Sequence, residues 1–339
     1  MGPGRAGEET ETTGRIAPDR NLALELVRVT ETAALAASQW VGRGDKIAAD
    51  QAAVTAMRHV LGGIEMDGTV VIGEGEKDQA PMLYIGEVVG NGRPPQVDIA
   101  VDPIDGTSLT SLGMPNAIAV VALAERGTLY EAPPGLFYME KIAVGPEAAD
   151  AIDIRKGVAE NLAAVARAKG MQVRDLTAII LQRPRHEGLV REVREAGARI
   201  KFITDGDVAG ALLASRGNGV DILLGIGGAP EAVIAAAALR CIGGAMQCRL
   251  WPRNEQERHD AETAGVDMAR VYHTTDLAGG DDIFFSATGI TDGELLEGVK
   301  FTGQHAYTQS LVMRSRSGTV RRIDSTHRLD KVRRYVQFD

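Results

Sequence analysis

Apolar residues recur along the first part of the chain with the period of a helix. Leu22, Leu26, Val29, Ala33, Ala37 and Trp40 fall on one stripe, which predicts a helix from near Asp19, its N-cap, to about Val41. Gly42-Arg43-Gly44-Asp45-Lys46 ends it as a loop. A second stripe of Val54, Met57 and Leu61 predicts a helix over 48–61, stopped by Gly62-Gly63. Short apolar runs follow. One, over 69–72, leads into Gly73-Glu74-Gly75-Glu76; another, over 97–101, ends at Asp102-Pro103-Ile104-Asp105-Gly106-Thr107; a third covers 117–123. Up to about residue 150 strands outnumber helices in mixed order, the pattern of an α+β lobe.

The second half alternates regularly. A helix over 158–169 ends at Gly170, and three strand–loop–helix units follow. The strands cover 177–181, 199–203 and 220–224. Their loops are Arg183-Pro184-Arg185-His186, Asp205-Gly206-Asp207 and Gly225-Ile226-Gly227-Gly228-Ala229-Pro230-Glu231. That alternation predicts a parallel sheet with covering helices, in which ligands bind at the carboxyl ends of the strands. All three loops lie at that edge, so they form one cleft rim. The division expected is a disordered tail over 1–18, an α+β lobe over 19–150 and an α/β lobe over 151–339.

Composition adds exclusions. A net charge of −9 argues against a nucleic-acid footprint, and the eight Arg and Lys residues from Arg314 onward read as strand faces and a surface tail. No apolar run is long enough for a membrane span, and residues 1–18 lack the apolar core of a signal peptide. Cys241 and Cys248, the two cysteines, have no zinc-ligand spacing and read as reduced, buried thiols of a cytoplasmic protein.

The candidate chemistry is acidic. Asp45, Glu74 with Glu76, Asp102 with Asp105, and Glu231 stand where strands or helices end or begin. Oxygen ligands from several loops suit Mg²⁺ or Mn²⁺, and such ions let a negative protein hold an anionic phosphate ester. In Asp102-Pro103-Ile104-Asp105-Gly106-Thr107, Pro103 cannot donate to a sheet and turns the chain aside, freeing Asp105 to converge with Asp102. Each element has a plainer reading. Asp45 caps the next helix, Asp102 and Asp105 form an Asx turn, and Arg183 and Arg185 pair with surface acids. Six polar, glycine- and acid-rich loops recurring at the ends of apolar elements favour a shared site over six separate coincidences.

At residues 102–107 the chain resembles the metal motif of the lithium-sensitive phosphatase superfamily. Trp40–Lys46, Val71–Glu76, Tyr138–Lys141, Arg183–His186, Asp205–Asp207, Gly225–Glu231 and Phe285–Gly289 are similar, in the same order, to segments of class II bacterial fructose-1,6-bisphosphatases. The resemblance runs from about residue 20 to 335. It implies a layered α/β/α/β/α fold with a metal lobe and a parallel-sheet sugar lobe. It also implies hydrolysis of the C1 phosphate of fructose 1,6-bisphosphate, in gluconeogenesis, by a homo-oligomer (dimer or tetramer).

Carried over by position, it puts metal ligands at Asp45, Glu74, Asp102, Asp105 and Glu231, and catalytic roles at Thr107, Lys46 and Asp78. Substrate contacts fall on Gly106, Thr107, Ser108, Tyr138, Arg183, Pro184, Arg185, Asp205, Gly206, Asp207 and Gly228. Asp105 replaces a Glu found in some class II members, and Ser108 stands where members vary.

Other functions remain to be weighed. Sedoheptulose 1,7-bisphosphate presents the same phosphorylated ketose end, so dual use is open. A non-catalytic sugar-phosphate sensor predicts a missing ligand or hydroxyl, and none is missing. A nicotinamide-dependent oxidoreductase is prompted by Gly225-Ile226-Gly227-Gly228, but Pro230 stands where the fingerprint's third glycine belongs.

Overall fold

The computed structural model describes residues 21–75, 82–133, 135–217 and 219–333. The tail expected over 1–18 lies outside them. Helix α1 (Ala23–Ser38) and helix α2 (Lys46–Leu61) form the first layer. Leu22, Leu26, Val29, Ala33 and Ala37 of the first stripe are buried, as are Val54, Met57 and Leu61 of the second. They pack on one face of the first sheet.

The strands are β1 (Asp67–Ile72), β2 (Val88–Val89), β3 (Gln96–Asp105), β4 (Ile118–Glu125), β5 (Tyr138–Val144), β6 (Thr177–Leu181) and β7 (Arg199–Ile203). Then come β8 (Ile222–Gly228), β9 (Ala245–Leu250), β10 (Tyr272–His273), β11 (Phe284–Gly289), β12 (Lys300–Thr302), β13 (His305–Arg314) and β14 (Thr319–Arg328). The first sheet has the order β12-β13-β11-β4-β3-β1-β2, with β14 along β13; only β1 and β3 run parallel. Central β4 is buried on both faces, which explains its unbroken apolar run.

The second sheet has the order β10-β9-β5-β8-β6-β7. Its β6, β7 and β8 are parallel, as the alternation predicts. Strand β5 runs antiparallel between β8 and β9, so the sheet is mixed rather than parallel. The pairing with β5 also extends β8 through Gly225–Gly228, a stretch that reads as a loop from its glycines. Residues 284–328, in the second half of the chain, pair into the first sheet, while β5, in the first half, belongs to the second.

Between the sheets lie α6 (Asp207–Ser215) and α7 (Ala229–Ile242), whose alanines and leucines contact both in one core. Helices α4 (Val158–Ala168) and α5 (Glu187–Glu195) cover the far face of the second sheet. The result is the five-layer α/β/α/β/α stack. Among the described residues no helix is long and apolar enough to cross a membrane. Cys241 and Cys248 are buried free thiols whose pKa burial pushes up to about 12, so they are inert cores rather than nucleophiles.

Candidate active site

A cleft of about 410 Å³ opens where β3, β6 and β8 end and α6 and α7 begin. Its first wall is the end of β3. Asp102 stands opposite Val120 and Asp105 opposite Ile118, so one extra residue bulges between them, where Pro103 needs no ladder hydrogen bond. The bulge re-aims Asp105, and Asp102 Oδ1 accepts the Ile104 N–H at 3.0 Å. Gly106 then takes φ +104°, a left-handed conformation. That turn delivers Thr107 as the first residue of α3 (Thr107–Leu112), its hydroxyl 3.3 Å from the Ile104 carbonyl it donates to. Buried Asp105 reaches across to accept the Ala209 N–H in the first turn of α6, at 3.1 Å, joining the two sides of the cleft.

Glu74, beyond the end of β1, and Asp50, in the second turn of α2, face each other across the same space and share a hydrogen bond. Glu231 enters from the first turn of α7. A Cβ at Gly228 would strike the Glu231 carboxylate, so any side chain there must push that carboxylate aside. Among the described residues, Glu231 Oε2 is buried without a hydrogen-bond partner.

The opposite wall is formed by loops of the second sheet. Arg183 Nη1 donates to the Thr204 carbonyl at 2.7 Å, and Arg185 Nη2 to the Ile226 carbonyl at 2.7 Å. The Arg185 guanidinium lies over the Tyr138 ring, 5.1 Å from its centroid. His186 anchors this loop: Ile226 N–H donates to Nε2 at 2.8 Å, so Nδ1 carries the proton given to the Leu181 carbonyl at 2.6 Å. Burial holds its pKa below the ordinary histidine value. Asp205 accepts the Ser108 N–H at 3.2 Å.

The structure thus brings Glu74, Asp102, Asp105, Gly106, Thr107, Tyr138, Arg183, Arg185, Asp205, Gly206, Asp207, Gly228 and Glu231 to one cleft. It does not bring Asp45 there. Asp45 is exposed and caps α2, accepting the Ala48 N–H at 2.9 Å. Asp50 faces the cleft instead, and sequence reasoning missed it. Lys46 and Ser108 sit beside the cleft, Lys46 Nζ donating to Ser108 Oγ at 2.8 Å, and Pro184 faces a neighbouring groove. Asp78 lies outside the described residues.

Among the described residues, seven carboxylates and two guanidiniums line the cleft. Burial, then the charge of Asp50, pushes the Glu74 pKa up to about 8. Burial and neighbouring carboxylates raise Asp102, Asp105 and Glu231 as well. Among the described residues no three acids, histidines or cysteines are already drawn together around a point. Even so, an all-oxygen set with an orphaned buried carboxylate oxygen and mutual repulsion fits hard divalent cations.

A family model described as bacterial fructose-1,6-bisphosphatase, glpX-encoded, matches residues 20–327. The chain is 48% identical over 326 residues to fructose-1,6-bisphosphatase 1 class 2 of Escherichia coli, a match spanning 92% of this chain and 96% of the relative. The class 2 fructose-1,6-bisphosphatase of Shigella flexneri matches with the same 48% identity and the same coverage.

Proposed function

This chain belongs to the bacterial, glpX-encoded fructose-1,6-bisphosphatase family, and we propose that it removes the C1 phosphate of fructose 1,6-bisphosphate, giving fructose 6-phosphate and phosphate, with Mg²⁺ or Mn²⁺ as cofactor. The observation that carries this reading is one cleft with an acidic wall facing a wall that bears Arg183, Arg185 and Tyr138. A bisphosphate needs both walls. Seven carboxylates would repel an incoming phosphate unless cations intervened.

Asp50, Glu74, Asp102, Asp105 and Glu231 would hold the cations, with Asp50 in the place the resemblance gave to Asp45. Bound there, such ions neutralise phosphate oxygens, lower the pKa of water and stabilise the leaving alkoxide. Thr107 Oγ1 gives its proton to the Ile104 carbonyl and so turns its lone pairs outward, where they accept from and orient the attacking water. Lys46, through Ser108 Oγ, steadies the first turn of α3 that carries Thr107. Arg183 and Arg185 hold the remote phosphate, their forks preset by the backbone carbonyls they already bind. Asp205 and Asp207 accept bonds from sugar hydroxyls. The Gly228 backbone, without a side chain, lets the sugar approach.

The test is phosphate release with either metal from fructose 1,6-bisphosphate, sedoheptulose 1,7-bisphosphate and inositol 1-phosphate. Preference for the ketose bisphosphates supports the reading. Preference for inositol 1-phosphate would leave the acidic wall standing and remove the sugar wall's assignment. Their ratio decides between single and dual use.

A further inference from the structure

Lys141 is a cation at a core position. It lies on β5, and the strand's alternation puts it on one face with Met139 and Ala143, both fully buried in the apolar core between the sheets. Lys141 itself is 3% exposed. Its Nζ lies 2.6 Å from Asp207 Oδ2, in an ion pair behind the cleft wall. Lys141 does not line the cleft, whereas Asp207 does. Burial alone would favour the neutral amine, but Asp207 and Glu231 outweigh it and raise the lysine pKa.

The neighbouring strand is shaped around this pair. A Cβ at Gly227 would run into Asp207 Oδ2 and come within 2.9 Å of Lys141 Nζ. Replacing a buried ion pair by apolar groups is often neutral or stabilising, so stability alone gives little reason for a lysine among Met139 and Ala143. Building on the sugar-phosphatase reading above, we propose that Lys141 is a positioning residue: it grips one oxygen of Asp207 from behind and thereby presents the other to a hydroxyl of the sugar. Substrate affinity on the sugar side of the cleft then depends on a residue that never touches substrate.

The experiment compares the full-length protein with Lys141→Met, Asp207→Asn and the double variant. It reads kcat, KM for fructose 1,6-bisphosphate, and inhibition constants for fructose 6-phosphate and inorganic phosphate. Loss of a well-placed charged hydrogen bond corresponds to roughly tenfold or more in affinity. Lys141→Met is expected to raise KM and the fructose 6-phosphate inhibition constant together by about that factor, with kcat and the inorganic phosphate constant within about threefold. In the Asp207→Asn background, removing Lys141 adds nothing further, because the second acceptor oxygen that it positions has become a donor NH₂. Should Lys141→Met not fold, the double variant, which leaves no unpaired buried charge, and Gly227→Ala, which displaces the pair without deleting it, carry the comparison.

Unchanged KM in Lys141→Met, additive effects in the double variant, or an equal loss of phosphate affinity overturns the inference while leaving the phosphatase reading intact. A wild type that releases no phosphate from the bisphosphate overturns both.

Discussion

Asp45 and Asp50 sit five positions apart in one segment yet lie in different surroundings. Asp45 accepts the Ala48 N–H at the start of α2, whereas Asp50 faces Glu74 in the cleft. Replacing a capping Asp by Ala costs about 1 kcal/mol, so Asp45→Ala is expected to lower the melting temperature by a few degrees. Its metal requirement should stay within about twofold, because only a cap is lost. Asp50→Asn acts the other way. It removes a charge that helps push Glu74 up to about 8, so the metal-free protein keeps or gains stability. Even outer-shell substitutions at metal sites cost 10–100-fold in affinity, so losing a ligand should raise the half-saturating metal concentration by about 100-fold or more. The assay is metal titration of phosphate release, beside thermal melts in chelator. A large metal effect in Asp45→Ala with none in Asp50→Asn would refute the assignment.

Further outcomes follow from the same geometry. Gly228→Ala should abolish most metal-dependent activity, because the new methyl displaces the Glu231 carboxylate; circular dichroism should show the fold retained. Metal must displace the proton that Glu74 keeps up to about pH 8, so half-saturating metal concentration should fall as pH rises from 6 to about 8 and flatten above. An affinity independent of pH over that window would contradict it. Burial keeps His186 neutral, with a folded pKa below the ordinary 6.5, and the Ile226 N–H donated to Nε2 leaves that nitrogen unprotonated. The unfolded chain therefore takes up this proton first, so the stability His186 contributes is present above about pH 6.5 and lost as pH falls below it. Urea denaturation from pH 7.5 to 5.5 should show that slope, and His186→Gln should flatten it.

Much of this site is legible in the sequence because its residues stand where apolar runs end. Asp102 and Asp105 close one strand and Thr107 follows it, Arg183 and Arg185 follow another, and Glu231 opens a helix that a proline-containing turn announces. The residues missed share a different signature. Asp50 lies on the buried stripe of α2 with Ala53, Val54 and Met57, at spacings of three, four and seven. Lys141 lies on the buried face of β5 between Met139 and Ala143. A charge inside an apolar period was the available signal for both. Asp45 drew attention because its neighbours are glycines, which mark a loop but not the direction of a side chain.

The fold was less readable where pairing is distant. Nothing local in residues 284–328 says that they return to the first sheet, beside β4, rather than continue the second. Likewise β5 imposes an antiparallel strand on a run of parallel units through contacts about 80 residues away.

The most direct test of the whole account measures metal binding and phosphate release on the same preparations of wild type and Thr107→Ala. Wild type should release phosphate from fructose 1,6-bisphosphate only with Mg²⁺ or Mn²⁺ and stop in chelator. Thr107→Ala should bind the metal with unchanged affinity yet react at least about 100-fold more slowly, the contribution expected of a group that handles the attacking water. Release that persists in chelator, or a Thr107→Ala variant as fast as wild type, would contradict it.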